Sequence, residues 1–275
     1  MGVPYPPCVS GNAYADLAGV YEWLTPEPLL TPEGNVAAFA AWIDPLPAGS
    51  RVLDCAAGVG LLAVGLAQRG FAAEATDISP AMIERTRALA DQHGVDVRAS
   101  VCAWEDLSGE ARFDAVFCVG NSLAHAPGRA ARCAALARMV SVLRPGGLLV
   151  LTSRNWERER APGSRLDLDD RLVVRGGRRA LVVRGWTIAA DWDEPHALEI
   201  AVALLGAGGR ITTHAERLAF WPFSHEMLLH DLRAAGLEPA DSTYADTVDR
   251  YLVIATNVSS AGSRPEASFP PPAGS

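Results

Sequence analysis

The feature that most constrains this chain is a series of short, nearly unbroken apolar segments, each followed by a helix-forming stretch, between residues 51 and 152. Residues 51–55 (RVLDC) read as a buried strand ending in a glycine turn, and residues 61–68 continue it as a helix. Residues 71–76 give a second strand. The helix predicted over 79–92 has Ser79 as N-cap and Pro80 at its first position, where a missing N–H costs nothing. Further strands are predicted over 95–101, 113–119 and 148–152, with a helix over 128–143 stopped by Pro145-Gly146-Gly147. Strands that are apolar along their whole length are covered on both faces, and strands separated by helices pair in parallel. The fold class expected is α/β, a Rossmann-like doubly wound seven-stranded sheet.

Beyond Arg154 the period changes. The segments LVVR, ALVVRGWTI, LEIAVALLG and ITTHAERLAF are β-rich and are separated by Gly176-Gly177, a turn over 191–196, and residues 206–209. They read as an antiparallel insertion after the fifth parallel strand. A helix over 224–235 and two strands near 238–246 and 249–256 complete the sheet. The expected organisation is an N-terminal helical cap (1–48), a Rossmann-like core (49–153), an antiparallel β insertion forming part of a pocket (154–222), the C-terminal part of the core (223–257) and a disordered Ser/Pro/Gly/Ala-rich tail (258–275).

Composition narrows the function classes. With 275 residues, 49% of them hydrophobic, the chain can bury one α/β body plus an elaboration. A formal charge of -8 repels phosphate backbones, which argues against nucleic acid as partner. No apolar run approaches the ~18 residues of a membrane span, and the start MGVPYPPCVS lacks the basic and apolar regions of a signal peptide. A cytoplasmic location with reduced cysteines is expected. Asp191, Asp193, Glu194 and His196 fall in a turn, and no metal site is expected there.

Chemistry concentrates in the turn Asp54-Cys55-Ala56-Ala57-Gly58-Val59-Gly60. An acid closes the first strand, and small residues let the backbone bend against a ligand at a helix N-terminus. Residues 58–63 also fit the G-x-G-x-x-A pattern of nicotinamide dinucleotide sites, a pattern of low specificity by itself. Asp54 discriminates between the two readings. Its carboxylate would repel a diphosphate, whereas the methionine end of S-adenosylmethionine carries an ammonium and a sulfonium that it attracts. Asp77, ending the second strand, is placed to accept both ribose hydroxyls, with Ile78 beside it. Ala103, Trp104 and Glu105 follow the third strand, where an acid next to an aromatic can bond and cover an adenine. Val119 to His125 leave the fourth strand on the side where ligands of such sheets lie.

These residues together give the chain a close resemblance to the glycine N-methyltransferases and their glycine/sarcosine relatives. The family's V-L-D-x-A-x-G-x-G loop is matched by residues 52–60, with Ala56 in place of the commoner first glycine. Its acid-and-cap segment is matched by Asp77-Ile78-Ser79 with Met82, and its tryptophan after the third strand by Trp104. Its C-L-G-N-S-F-A-H-L segment is followed by residues 118–125, its R-P-G-G-L-L-V run by residues 144–150, and its R-N-aromatic by Arg154-Asn155-Trp156. Tyr14-Ala15-Asp16 and residues 217–222 are similar to two more family segments, so the resemblance extends over roughly residues 14 to 256.

The resemblance implies that Ala56, Gly58, Asp77, Met82, Trp104 and Val119 line S-adenosylmethionine. It further implies that Asn121 and Arg154 hold a carboxylate of the acceptor and that Tyr14 closes over the donor methyl. The family's arginine for the cofactor carboxylate is replaced here by Asn35. The expected activity is methylation of a glycine-like or other small amino compound by in-line displacement, with positioning by Tyr14, Asn121 and Arg154. O- or C-methylation of a specialised metabolite, with His125 as base, is the runner-up. A nicotinamide oxidoreductase and a silent cofactor-binding regulator are the readings from other classes.

Overall fold

The strand–turn–helix unit that opens the sheet is β1 (Arg51–Asp54), a glycine turn, and α3 (Leu61–Gln68), in a computed structural model that describes residues 17–109, 111–169 and 171–258. Upstream, a 3-10 helix over Ala18–Trp23 and the short helices α1 (Pro32–Ala37) and α2 (Ala40–Ile43) lead into it. The alternation continues with β2 (Ala72–Asp77), α4 (Pro80–His93), β3 (Arg98–Val101), β4 (Phe113–Cys118), α5 (Gly128–Val142) and β5 (Leu143–Arg154). α4 starts where its cap requires: the Ser79 hydroxyl accepts the Met82 amide at 3.5 Å and Pro80 occupies the first turn.

After β5 come α6 (Trp156–Arg160) and the strands β6 (Arg165–Leu168), β7 (Val173–Arg175), β8 (Arg178–Thr187), β9 (His196–Leu205) and β10 (Ile211–Phe220). Then α7 (His225–Ala234), β11 (Leu237–Ser242) and β12 (Arg250–Asn257) close the chain's main body. The principal sheet has seven strands in the order β11-β12-β5-β4-β1-β2-β3. Its β1–β5 part is parallel, while β12 runs antiparallel to both β5 and β11. This is the expected Rossmann-like α/β sheet. The strand order reverses direction between β1 and β4, which sets a crevice at the carboxyl ends of those two strands.

The second sheet, β10-β9-β8-β6 with β7 on β8, is antiparallel and lies between β5 and α7 in the chain. Its inner face buries Ala180, Val182, Trp186, Leu198, Ile200, Val202, Leu218 and Phe220 in the same core cluster as the α5 side of the main sheet. Trp156 joins the two, its ring centroid 5.5 Å from Phe220 and 6.4 Å from Trp186. No helix among the described residues is long and apolar enough to cross a membrane.

The elements depart from sequence expectation at two places. Pro145-Gly146-Gly147 does not separate a helix from a strand but lies inside β5. The register against β4 jumps from Phe113↔Leu143 to Ala115↔Leu148, so these residues form a bulge. Gly146 takes φ +76°, and a Cβ on Gly147 would sit 2.9 Å from the Arg144 carbonyl oxygen; only glycines fit. The strand β6 and the helix α6 were not expected at all. Both are short, and β6 alternates arginine and aspartate with leucines that remain exposed, which conceals its burial pattern.

Candidate active site

The turn after β1 is built from the backbone outward. The Cys55 amide bonds to the Phe117 carbonyl (2.9 Å) and the Ala57 amide to Thr76 (3.0 Å), so the turn is held by both neighbouring strands. Gly58 (φ +55°) and Gly60 (φ +87°) are left-handed. A Cβ on Gly60 would come within 2.7 Å of the Thr86 side chain, so glycine is required there for space as well as for conformation. At Gly58 a Cβ would meet no protein atom, so that side of the turn faces open space. Thr86 in α4 donates to the Gly58 carbonyl (3.0 Å), and Trp104 Nε1 donates to the Cys55 carbonyl (2.8 Å). Trp104 thus clamps the turn, a contact that sequence does not reveal.

Two carboxylates flank this turn. Asp54 is 1% exposed, and among the described residues its carboxylate accepts one hydrogen bond, a long one from the Ala56 amide at 3.4 Å. Burial pushes its pKa to about 7, the Ala56 amide opposes that rise, and the charge of Asp77 adds to it. Asp77 accepts the Gly58 and Ser79 amides, both at 2.9 Å. Burial raises its pKa too, against the pull of those two donors. A buried acid with a single long donor favours a cationic ligand, and no lysine or arginine stands in residues 54–60 to welcome a diphosphate. The donor set therefore fits the cationic methionine end of S-adenosylmethionine.

The other expected cofactor residues gather at the same edge of the sheet. Ile78 follows Asp77 and is exposed, while Met82 is buried beneath it at the start of α4. Ala103 and Trp104 are half-buried, Glu105 is exposed in the 3-10 turn Trp104–Asp106, and Val119 is half-buried at the end of β4. Tyr21 is an addition to the site residues expected from sequence. Burial raises the pKa of its hydroxyl, which feels the charges of Arg250, Asp77 and Asp54, and Tyr21 lines a cavity together with Val59 and Leu61. Asn35, in the place of the family's arginine, donates its amide to the Leu29 carbonyl (3.3 Å). Tyr14 lies outside the described residues.

Where β4 ends, Asn121 is buried with φ +69°, and its Oδ1 accepts the Arg154 amide at 2.9 Å. Its side chain ties the β4 exit to the end of β5. His125 donates from Nδ1 to the Ala219 carbonyl (3.0 Å) and stacks against Phe220 at 4.5 Å; burial holds its pKa down to about 4. The Trp221 amide bonds to Ala124 (2.7 Å), so the β10 end is fastened to the same segment. Arg154 turns its guanidinium to Glu159 (2.8 Å) and lies 5.2 Å from the Trp186 ring. The structure thus ties Asn121 to Arg154, and His125 to the end of β10.

Residues 52–147 match a family model described as a methyltransferase domain. Over those residues this chain is similar to known methyltransferase domains. It is 38% identical over 121 residues to a glycine/sarcosine N-methyltransferase of Parasynechococcus marenigrum (strain WH8102), an alignment covering 42% of each chain. It is 40% identical over 111 residues to a ubiquinone biosynthesis O-methyltransferase of Xanthomonas axonopodis pv. citri (strain 306), covering 40% of this chain and 45% of that one. The match thus spans less than half the length of these relatives. In three dimensions the chain is similar to an S-adenosylmethionine-bound amino pentose methyltransferase from Micromonospora echinaspora. The TM-score is 0.68 at 24% identity, over 92% of this chain and 100% of that one.

Proposed function

We propose that this protein transfers the methyl group of S-adenosylmethionine to the nitrogen of a small amino compound. The buried carboxylate of Asp54 beside a left-handed glycine turn is the observation that carries the donor. In this reading Asp54 holds the ammonium end of the donor and Asp77 its ribose, while Ala56, Gly58 and Val119 line its approach to the backbone and Gly60 shapes the turn against Thr86. Ile78, Met82, Ala103, Trp104 and Glu105 flank its adenine. Bound there, S-adenosylmethionine supplies an electrophilic methyl group.

The state of His125 favours an amine as acceptor. An imidazole held near pKa 4 is a weak proton acceptor at neutral pH. A hydroxyl acceptor needs its proton removed, whereas an amine that arrives neutral needs only alignment, which can contribute about 7–11 kcal/mol. Asn121 and Tyr14 serve in that alignment, with Arg154 fixed alongside. The O-methyltransferase relative keeps oxygen methylation as a second reading. A screen of amines and hydroxyl compounds, with S-adenosylhomocysteine as readout, tests the proposal. Turnover of amines supports it; turnover confined to hydroxyl acceptors overturns it.

A further inference from the structure

Arg154 is the cation that the resemblance assigns to a substrate carboxylate, and it already has a carboxylate. Glu159, one turn into α6, is 11% exposed and gives Oε2 to Arg154 Nη1 at 2.8 Å. Its other oxygen, Oε1, is taken by Arg165 Nη2, and the Glu159 amide is anchored on the Asn155 carbonyl at 2.8 Å. Both guanidinium groups lie over the Trp186 ring, with carbons 5.2 and 5.6 Å from its centroid. The acid is therefore gripped on both oxygens by two cations that the same aromatic ring positions, a geometry in which charge-assisted bonds are strong.

The surroundings are balanced in the same way. A cavity of about 350 Å³ adjoins Glu159 and is lined by Arg158, Arg165 and Asp249 among others. Arg158 pairs with Asp249 at 2.7 Å, and Arg165 also holds Asp167 at 3.0 Å. An entering carboxylate finds each of these three arginines engaged. To compete for Arg154 Nη1 it must displace the Glu159 Oε2 that now holds it, and any part it takes of Arg154 lies beside the charge of a carboxylate that Arg165 keeps in place.

We propose that Glu159 is a built-in carboxylate occupying Arg154, and that it sets acceptor specificity against carboxylate-bearing amines and in favour of amines without one. This rests on the amine-methylation reading above and narrows it. It parts from the glycine-like acceptor that the resemblance implies.

Titration of glycine and of methylamine into the protein saturated with S-adenosylhomocysteine tests it without requiring turnover. The wild type should bind methylamine at least as tightly as glycine, and Arg154→Leu should change glycine affinity less than twofold. Glu159→Gln should tighten glycine binding at least tenfold, leave S-adenosylhomocysteine affinity unchanged, and lose that gain when combined with Arg154→Leu. Preferential, tight glycine binding by the wild type would overturn the inference, even if Glu159→Gln does not fold. So would a folded Glu159→Gln protein with unaltered glycine affinity. Failure of the wild type to bind S-adenosylhomocysteine would instead strike the methyltransferase reading.

Discussion

Asp54→Asn should strengthen the ligand-free fold and destroy the donor site at the same time. Asp54 moves from the ordinary aspartate value of 3.8 to about 7 because burial disfavours its charge. A folded-state pKa above the unfolded one means that the native protein binds more protons between those two values. Stability contributed by the neutral acid is complete below pH 3.8 and is lost as pH rises through about 7. At 1.36 kcal/mol per pKa unit the cost at pH 8 is at most about 4 kcal/mol. A neutral asparagine avoids that cost, so chemical unfolding at pH 8 should show the variant more stable by about 1–4 kcal/mol. At pH 4 the gain should vanish.

Donor binding has the opposite dependence. The cationic ligand needs the ionised acid, so the wild-type affinity for S-adenosylmethionine should fall about tenfold between pH 8 and pH 6, a decade per unit below the pKa. His125 and His196 are both held to about 4 by burial and stay neutral across this window. Asp54→Asn should remove most of this pH dependence and weaken binding at pH 8 about 100-fold, equivalent to about 2.7 kcal/mol. A variant that is less stable than wild type at pH 8, or a wild-type affinity flat from pH 6 to pH 8, would refute the electrostatic reasoning.

Other changes test separate joints of the structure. Gly60→Ala should cost about 1–3 kcal/mol in unfolding experiments and abolish measurable donor binding, because its Cβ would meet Thr86 at 2.7 Å in a left-handed backbone. Asp231→Ala leaves buried Arg132 without the carboxylate it now holds at 2.8 Å. Calorimetric melting should reveal a loss of about 3–5 kcal/mol, with donor affinity in the surviving folded protein unchanged. His125→Ala should retain cofactor affinity and reduce turnover of an amine by less than about tenfold; a loss of 100-fold or more would favour a hydroxyl acceptor and an active base.

The parallel core was legible because its signals are local. Ser79 and Ser224 cap α4 and α7 where a hydroxyl followed by an apolar-periodic run predicts, and each accepts the amide three residues on. Asp54, Asp77 and the glycines between them could be placed at strand ends from the hydrophobic pattern alone. The site's second layer depended on contacts that spacing does not encode. Trp104 reaches back 49 residues to the Cys55 carbonyl, and Tyr21 feels the charge of acids more than thirty residues away in the chain. Arg154 read as a carboxylate clamp by resemblance, yet its partner, Glu159, is five residues downstream in the unexpected helix α6. Without that helix in view the arginine looks unengaged. The bulge at Pro145-Gly146-Gly147 was hidden for a related reason, since the same residues serve equally well as a helix stop.

The most direct test is a crystal structure of the protein with S-adenosylhomocysteine. The account predicts the amino group of the ligand against the Asp54 carboxylate, its ribose hydroxyls on Asp77 and its adenine between Ile78 and Trp104. Density showing a diphosphate lying across residues 56–60 after soaking with a nicotinamide dinucleotide, and none for the thioether ligand, would contradict it.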